Sequence, residues 1–356
     1  MATPKFLQNS NNFHQELKRR VNEYFEEKKK SATGNFGLFF KAAFFVLSYI
    51  ALYVHLVYFT PPALLAIFEC ILFGGFTAAI GFNVMHDGGH GSFSKSKIWN
   101  KLAAVSANFM GVSHIMWAMK HNIIHHTYTN IDGVDDDIEI KPYLRMCTTQ
   151  KRRKIHRFQH YYVWVLYCLL HVMWIFLFDY KKYFLKKIGS VPIKKMSMQE
   201  HLAFWAAKVL YAFVFIALPI YKLGFLKFSI GFLIASAFTG LVISIVFQLA
   251  HTVEETDFPV PEGDTNKIEN EWAIHQVQTT ANFATKNKLI SWLVGGLNFQ
   301  IEHHLFPKVS HVHYPAISKI IRETCNDFNI KYIEFPKMRS AIASHTSLLR
   351  RMGRMA

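Results

Sequence analysis

Cysteine is scarce in this chain. The 356 residues hold four, Cys70, Cys147, Cys168 and Cys325, and no two form a C-x-x-C pair. Cys70 and Cys168 lie inside apolar runs. This excludes a disulfide framework and a zinc ribbon, and it fits a reducing compartment. No cleaved leader is expected, because the opening "MATPKFLQNSNNFHQELKRRVNEYFEEKKK" is polar and lacks an apolar core. Acidic residues are also few: 24 Asp+Glu stand against 40 Lys+Arg, a formal net charge of +16. The basic residues lie between apolar stretches and form no recognisable nucleic-acid module, so nucleic acid is not an expected partner. The chain has no internal repeat and no low-complexity tract.

Apolar residues, in contrast, are plentiful. The chain is 51% hydrophobic, with 33 Phe and 15 Tyr. A soluble domain would struggle to hide so much aromatic surface, whereas a membrane protein with basic cytoplasmic segments accommodates both features. A spanning helix needs about 20 apolar residues. Five stretches approach that length: 38–59, 63–85, 161–178, 203–221 and 228–250. The uncharged "TPPA" (60–63) reads as a short outer turn between helices broken by Pro61 and Pro62. The segment "KKYFLKKIGSVPIKKMS" (181–197) is strongly basic, while 222–227 carries only Lys222 and Lys227. The positive-inside rule then puts the N-terminus, 86–160, 181–197 and the C-terminal region in the cytoplasm.

Histidines cluster in three distant places: "HDGGH" (86–90), "HNIIHH" (121–126) and "QIEHH" (300–304). If they form one site they share one side of the membrane, so an even number of crossings separates His90 from His303. Three candidate spans lie between them. The one expected not to cross is 161–178, which is the shortest, is rich in Tyr and Trp, contains His171 and has basic flanks on both sides. It reads as an interfacial helix. The expected fold is therefore all-α and integral to the membrane. It has four spans in two hairpins (about 38–59, 63–85, 203–221 and 228–250), interfacial helices and a cytoplasmic metal-bearing cap. The domain organisation follows: a cytoplasmic segment 1–37, a membrane domain 38–350 and a tail 351–356. Segment 102–119 is expected to lie against the membrane, and helices are expected at 315–327 and around 337–352.

The spacing within the clusters suits metal ligation. His86 and His90 are i and i+4, about 40° apart on one helix face. His121 and His125 repeat the spacing, with His126 expected on a different side. Gln300, His303 and His304 are at i, i+3 and i+4. Neutral imidazole suits iron, zinc and copper. The H-E-x-x-H protease signature is absent, as are the E-x-x-H pairs of soluble di-iron bundles. Seven cluster histidines are too many for one tetrahedral zinc with an open position, and they fit a pair of ions. Two irons facing a bilayer suggest oxygen activation against a lipid chain.

These motifs resemble the membrane fatty-acid desaturases, which carry three histidine boxes. The likeness is greatest to the front-end group, whose third box begins with Gln, as in "QIEHHLFP" here. "HDGGHGSFS", "HNIIHHTYTNI", "WAIHQVQTTANFAT" and "GGLNFQIEHHLFPKVSHVHYP" strengthen it, particularly toward cyanobacterial-type Δ6 acyl-lipid desaturases and linoleoyl-CoA desaturases. The resemblance runs from about 35 to 350. It implies an O2-dependent oxidoreductase that introduces a cis double bond on the carboxyl side of an existing one. It also implies two iron ions held by His86, His90, His121, His125, His126, His303 and His304. In relatives a further histidine ends the last span, and His251 in "FQLAHTVEE" occupies that place.

Beyond the ligands, Gln300 is a candidate metal or water contact. Asp87, Glu302, His275 and the aspartates Asp132, Asp135, Asp136 and Asp137 are candidates to support the ligands. No side chain beyond the metal site is expected to be catalytic. The haem motif His-Pro-Gly-Gly of fused cytochrome b5 domains is absent, so electrons are expected from a separate ferredoxin or cytochrome b5. The other expected partners are membrane lipid and an acyl chain carried on a lipid or on CoA. Small residues in "FGGFTAAIGF" (73–82) and "ASAFTG" (235–240) serve close helix packing or an acyl groove. Glu69, in an apolar span, is expected to snorkel to the outer surface. The rival readings are a membrane hydroxylase with the same boxes, a zinc-dependent membrane hydrolase and a metal transporter.

Overall fold

Away from water, an apolar segment satisfies every backbone N–H and C=O most simply as a helix. The computed structural model, which describes residues 3–7, 12–263 and 265–355, is helical accordingly. The expected N-terminal segment and C-terminal tail fall partly outside these residues. In chain order come α1 (Phe13–Glu27), α2 (Phe36–Phe59), α3 (Ala63–His90), α4 (Lys97–Met110) and α5 (His114–Tyr128). They are followed by α6 (Lys154–Leu185), α7 (Met198–Leu223) and α8 (Phe225–His251). The remainder holds α9 (Trp272–Gln278), α10 (Lys288–Leu293), α11 (Gln300–Leu305), α12 (Tyr314–Asp327) and α13 (Met338–Arg354). The described strands are two-residue pairs. Lys5–Phe6 runs parallel to Lys267–Ile268, and Asn282–Phe283 runs parallel to Glu334–Phe335. Lys187–Ile188 folds back antiparallel on Val191–Pro192.

Among the described residues five helices, α2, α3, α6, α7 and α8, are long and apolar enough to cross a membrane. A sixth crossing is available if α4 and α5, bent by 113°, count as one. The expectation of four rested on setting 161–178 apart, yet α6 matches the others in length and composition. The outward sides of these helices expose Leu47, Phe59, Leu64, Val165, Phe213 and Phe225. Such continuous apolar surface suits lipid and not water.

The helix ends follow local chemistry. Asn35 caps α2 by accepting from the Leu38 N–H, and Ser197 with Glu200 forms a capping box on α7. Gly224, at φ 79°, supplies the left-handed turn between α7 and α8.

Helix α8 is the central post. At Gly240 the backbone of α6 comes so close that an added Cβ would sit 2.6 Å from the Tyr167 carbonyl oxygen. On its other side Gly74 of α3 touches the Ala235 carbonyl, and Thr239 Oγ1 donates to the Gly74 carbonyl at 3.0 Å. The small residues of both stretches therefore do pack helix against helix. α6 meets the polar part of the molecule at both ends: His156 Nε2 lies 2.8 Å from the Pro142 carbonyl, and Lys182 pairs with Asp136 at 2.9 Å.

The polar remainder packs as a cap over one end of the bundle. Phe13, Leu17 and Val21 of α1, Ile301 and Leu305 of α11, and Ile317, Ile321 and Cys325 of α12 form its core. The expected helices at 315–327 and 337–352 are present as α12 and α13, and α13 runs on to Arg354. Glu69 corrects an expectation. It does not reach the surface but is buried, with its carboxylate 2.8 Å from His55 Nδ1. An imidazole partner within reach satisfies the carboxylate better than stretching to distant water.

Candidate metal centre

Each histidine cluster sits where a helix of the bundle or cap meets the same polar interior. His86 and His90 end α3, and His251 ends α8. The second box lies on a π-helical turn, Met119–His125, within α5. The third occupies α11. All are buried except His90, which is partly exposed.

The ring nitrogens converge. Those of His86, His90, His121 and His303 lie within 4.8 Å of one another, as do those of His125, His251 and His304. His126 groups with His303 and His304 at the same limit and so lies between the two sets. The structure thus gathers all eight histidines singled out in the sequence. Its correction concerns His126, which does not point away from His121: their Nε2 atoms are 3.2 Å apart. A π-helical turn repeats i to i+5 and not i to i+4, which brings positions 121 and 126 to one side. His125 turns instead toward His251 and His304, with ring centroids 4.7 and 5.0 Å away.

Electrostatics keeps His121, His126, His303 and His304 neutral, whereas at His125 burial is outweighed by the Asp135 carboxylate, which shifts the ring upward. Burial, and then the neighbouring imidazoles of His86 and His126, holds His303 well below its ordinary value. Burial, His126 and His251 do the same for His304. Neutral imidazole is the form that binds metal. The Nε2 atoms of His90, His125, His251, His303 and His304 are buried and have no hydrogen-bond partner among the described residues. Each such atom costs about 1–3 kcal/mol when left unsatisfied. Five in one place, facing one another, fit a metal pair with nitrogen ligands.

In four of these rings the opposite nitrogen is held by the protein, which fixes which nitrogen faces inward. His125 Nδ1 lies 3.1 Å from Asp135 Oδ2 and 3.2 Å from Asp137 Oδ2. His251 Nδ1 donates to the Thr279 carbonyl at 3.2 Å. His304 Nδ1 donates to Gln276 Oε1 at 2.8 Å, and His303 Nδ1 lies 3.1 Å from the Tyr314 hydroxyl. Trp117 stacks on the His121 ring at 4.6 Å.

The carboxylate candidates Asp87, Glu302, Asp132 and Asp136 are employed elsewhere. The Asp87 carboxylate accepts from Ser310 Oγ at 2.7 Å and from His311 Nδ1 at 3.0 Å, and the other nitrogen of His311 meets the buried Lys41. Glu302 accepts from Asn282 Nδ2 and from the Tyr332 hydroxyl, each at 2.7 Å, and burial pushes its carboxyl up to about 7. Asp132 binds Lys141, Thr149 and Gln150 in its own loop, and Asp136 binds Lys182. His275 is buried against Phe6, 5.1 Å away, outside the converging set. Gln300 is buried, and neither atom of its amide has a partner among the described residues.

The sequence reading missed Tyr314, Gln276, the Thr279 carbonyl and Trp117. Gln276 neighbours His275 in "WAIHQVQTTANFAT", a stretch singled out only for its resemblance. Thr279 lies in the same stretch and Tyr314 in "GGLNFQIEHHLFPKVSHVHYP", and no residue pattern there marks either as a partner of a ligand.

Two apolar spaces lie within the bundle, and the smaller adjoins the centre. A void of about 20 Å³ touches His86 and is walled by Phe82, Met85, Met110, Trp174 and Phe247. A cavity of about 610 Å³ lies deeper among α2, α3, α7 and α8, lined by Tyr53, Phe73, Thr77, Met110, Phe215 and Ala235 among others. Met110 belongs to both walls.

Comparison with known proteins agrees with this picture. The family model described as "Fatty acid desaturase" matches residues 60–336. An acyl-lipid (8-3)-desaturase of Physcomitrium patens is 36% identical over 345 residues, covering 96% of this chain and 72% of that protein. An sn-1 linoleoyl-lipid 6-desaturase of Arthrospira platensis is 36% identical, covering 96% of this chain and 92% of the relative. The protein of the same description from Synechocystis sp. is 35% identical, with 98% of each chain covered. The three boxes, their convergence and these matches lead to one conclusion: the chain belongs to the fatty acid desaturase family and is an oxidoreductase enzyme.

Proposed function

We propose that this protein is a di-iron front-end desaturase. It would introduce a cis double bond between an existing double bond and the carboxyl end of a lipid-linked or CoA-linked acyl chain. The observation that carries the reading is the set of buried, unpartnered Nε2 atoms facing one another. His86, His90, His121 and His303 would hold one ion, and His125, His251 and His304 the other, with His126 completing the shell between them. When bound, the iron pair supplies the oxidising power, drawing on O2 and on electrons from a separate ferredoxin or cytochrome b5.

The protein's own part is positioning. Asp135 and Asp137 orient His125, Gln276 orients His304, and Thr279 orients His251. The apolar void beside His86 excludes water from the reacting methylenes and offers them a seat. Two relatives are named for linoleoyl lipid and one for an acyl lipid. Those names support an acyl-lipid substrate here.

The same reading gives the membrane arrangement. α2, α3, α7 and α8 cross, and α6 lies along the cytoplasmic interface. Contacts of both ends of α6 with polar segments on the histidine side support this, since a crossing helix would carry one end away. Both termini and the metal centre would then be cytoplasmic, with a desaturase domain over 38–350.

The test is the fatty-acid profile of cells expressing the protein with a compatible carrier and fed saturated and unsaturated chains. His304→Ala serves as the blank. A new bond on the carboxyl side of an existing one supports the proposal; a bond elsewhere overturns the front-end assignment. Hydroxylated products would mark a hydroxylase.

A further inference from the structure

Two basic segments some 200 residues apart in sequence meet at one corner of the molecule. One is "KRRKIHR" (151–157), which leads into α6; the other is "RRMGR" (350–354), the end of α13. Their meeting is built in. Gly353 packs directly on the His156 carbonyl and leaves no room for a side chain. Arg152 Nε donates to the Gly353 carbonyl at 3.0 Å. The buried Arg145 donates to the carbonyls of Met352 at 2.9 Å and Met355 at 2.7 Å, satisfying groups that the end of α13 leaves free.

The guanidinium and ammonium groups gathered there are exposed and mostly unpaired. Arg351 is taken by Glu254 at 2.7 Å. Arg153, Lys154, Arg157, Arg350 and Arg354 are exposed, with no carboxylate in ion-pair reach among the described residues. Placing so many like charges together costs self-repulsion, which an anionic partner relieves. The setting says which partner. Ile155, Phe158 and Tyr161, each more than half exposed, lie among these cations, and the same helix continues through exposed Val165 and Leu169. An apolar edge with a basic rim suits the boundary of a bilayer, where side chains enter the acyl region and cations meet phosphates.

We propose that this corner binds the phosphodiester of anionic phospholipid headgroups, with Arg153, Arg350 and Arg354 as the main contacts. Guanidinium groups suit phosphate because their paired N–H donors match two oxygens. The bound lipid pins the start of α6 and the end of α13 to the interface. This rests on the membrane arrangement proposed above. That arrangement has its own check: extraction of the wild-type protein by alkaline carbonate would sink it whatever the corner does.

The test uses the full-length protein in bilayers of phosphatidylcholine alone or mixed equally with phosphatidylglycerol. Retained lipid is counted by native mass spectrometry, and thermal stability is measured in both bilayers. The corner variant carries Arg153→Gln, Lys154→Gln, Arg157→Gln, Arg350→Gln and Arg354→Gln. A charge-matched control carries Lys181→Gln, Lys186→Gln, Lys187→Gln, Lys194→Gln and Lys195→Gln. The corner variant is expected to retain about tenfold less phosphatidylglycerol and to lose the stabilisation it gives, while the control keeps both. Equal losses in the two variants would mean diffuse attraction by net charge and overturn the proposal. Unchanged lipid retention with lost binding of an acidic electron carrier would assign the corner to that protein instead, also overturning it.

Discussion

His121 and His126 stand five positions apart, yet their Nε2 atoms lie 3.2 Å from one another. An α-helix would turn them to different sides. The π-helical turn Met119–His125 brings them together and frees His125 for the second group. His126 thus adjoins both halves of the centre, whereas His251 belongs to one.

That difference is measurable. His126→Ala is expected to strip metal from the whole centre, and His251→Ala to deplete chiefly the group formed with His125 and His304. Elemental analysis of both purified variants checks it. Equal, complete loss in both would remove the distinction.

Asp135 holds His125 through its Nδ1, and Asp132 holds only its own loop. Asp135→Asn is expected to weaken metal retention about 10–100-fold, the usual cost of losing such a support. Asp132→Asn is expected to leave it unchanged. Competition with a chelator, followed by metal assay, separates the two.

Met110 stands between the void at His86 and the larger cavity. Met110→Ala should join them and broaden the range of acyl chains converted, at a cost of about 2–5 kcal/mol in stability from the lost packing. Gly81→Ala should act oppositely, since its new methyl would sit 2.9 Å from Met110 Cε. Product distributions from mixed chains, with a melting curve for each variant, test this. Identical distributions would place the acyl path elsewhere.

Acid should destabilise the metal-free protein. His303 and His304 are held well below their ordinary value by burial, while an unfolded histidine takes a proton near about 6.5. At these rings, and at His121 and His126, the unfolded chain binds more protons below that pH than the folded one. They outnumber Glu302 and His125, which are shifted up and act in the opposite sense, so stability falls as pH drops. Above it this contribution is constant. Melting temperatures of the metal-free protein at pH 7.5 and 5.5 are expected to differ in that direction, with the loaded protein less affected. A higher melting temperature at the lower pH would contradict the neutral state of these rings.

Much of the centre was legible in the sequence because its ligands come as short local patterns. HDGGH, HNIIHH and QIEHH place imidazoles a helical turn apart, and the length of the apolar run before it puts HDGGH at the end of a span. His251 needed the family resemblance, since a lone histidine after an apolar run carries no signal. The π-helical turn was not legible: the backbone widens there to suit packing that no residue type announces. The partners Tyr314 and Thr279 were invisible for another reason. Tertiary folding alone brings them to the rings, from 11 positions away for His303 and 28 for His251. Asp87 and Glu302 show the converse, since adjacency in sequence to a ligand sent their carboxylates to other faces of the same helices. Small residues in α3 and α8 were read as packing or groove; Gly74 and Gly240 pack helix on helix, and Thr77, Ala235 and Ser236 line a cavity.

The central claim is that these eight histidines hold one pair of irons. The most direct measurement is the iron content of the purified wild-type protein beside His303→Ala, read together with the spectrum of the bound iron. The expected result is a coupled iron pair in the wild type and its loss in the variant, with the protein still inserted in the membrane. Zinc in place of iron, or full iron retained without His303, would contradict the account.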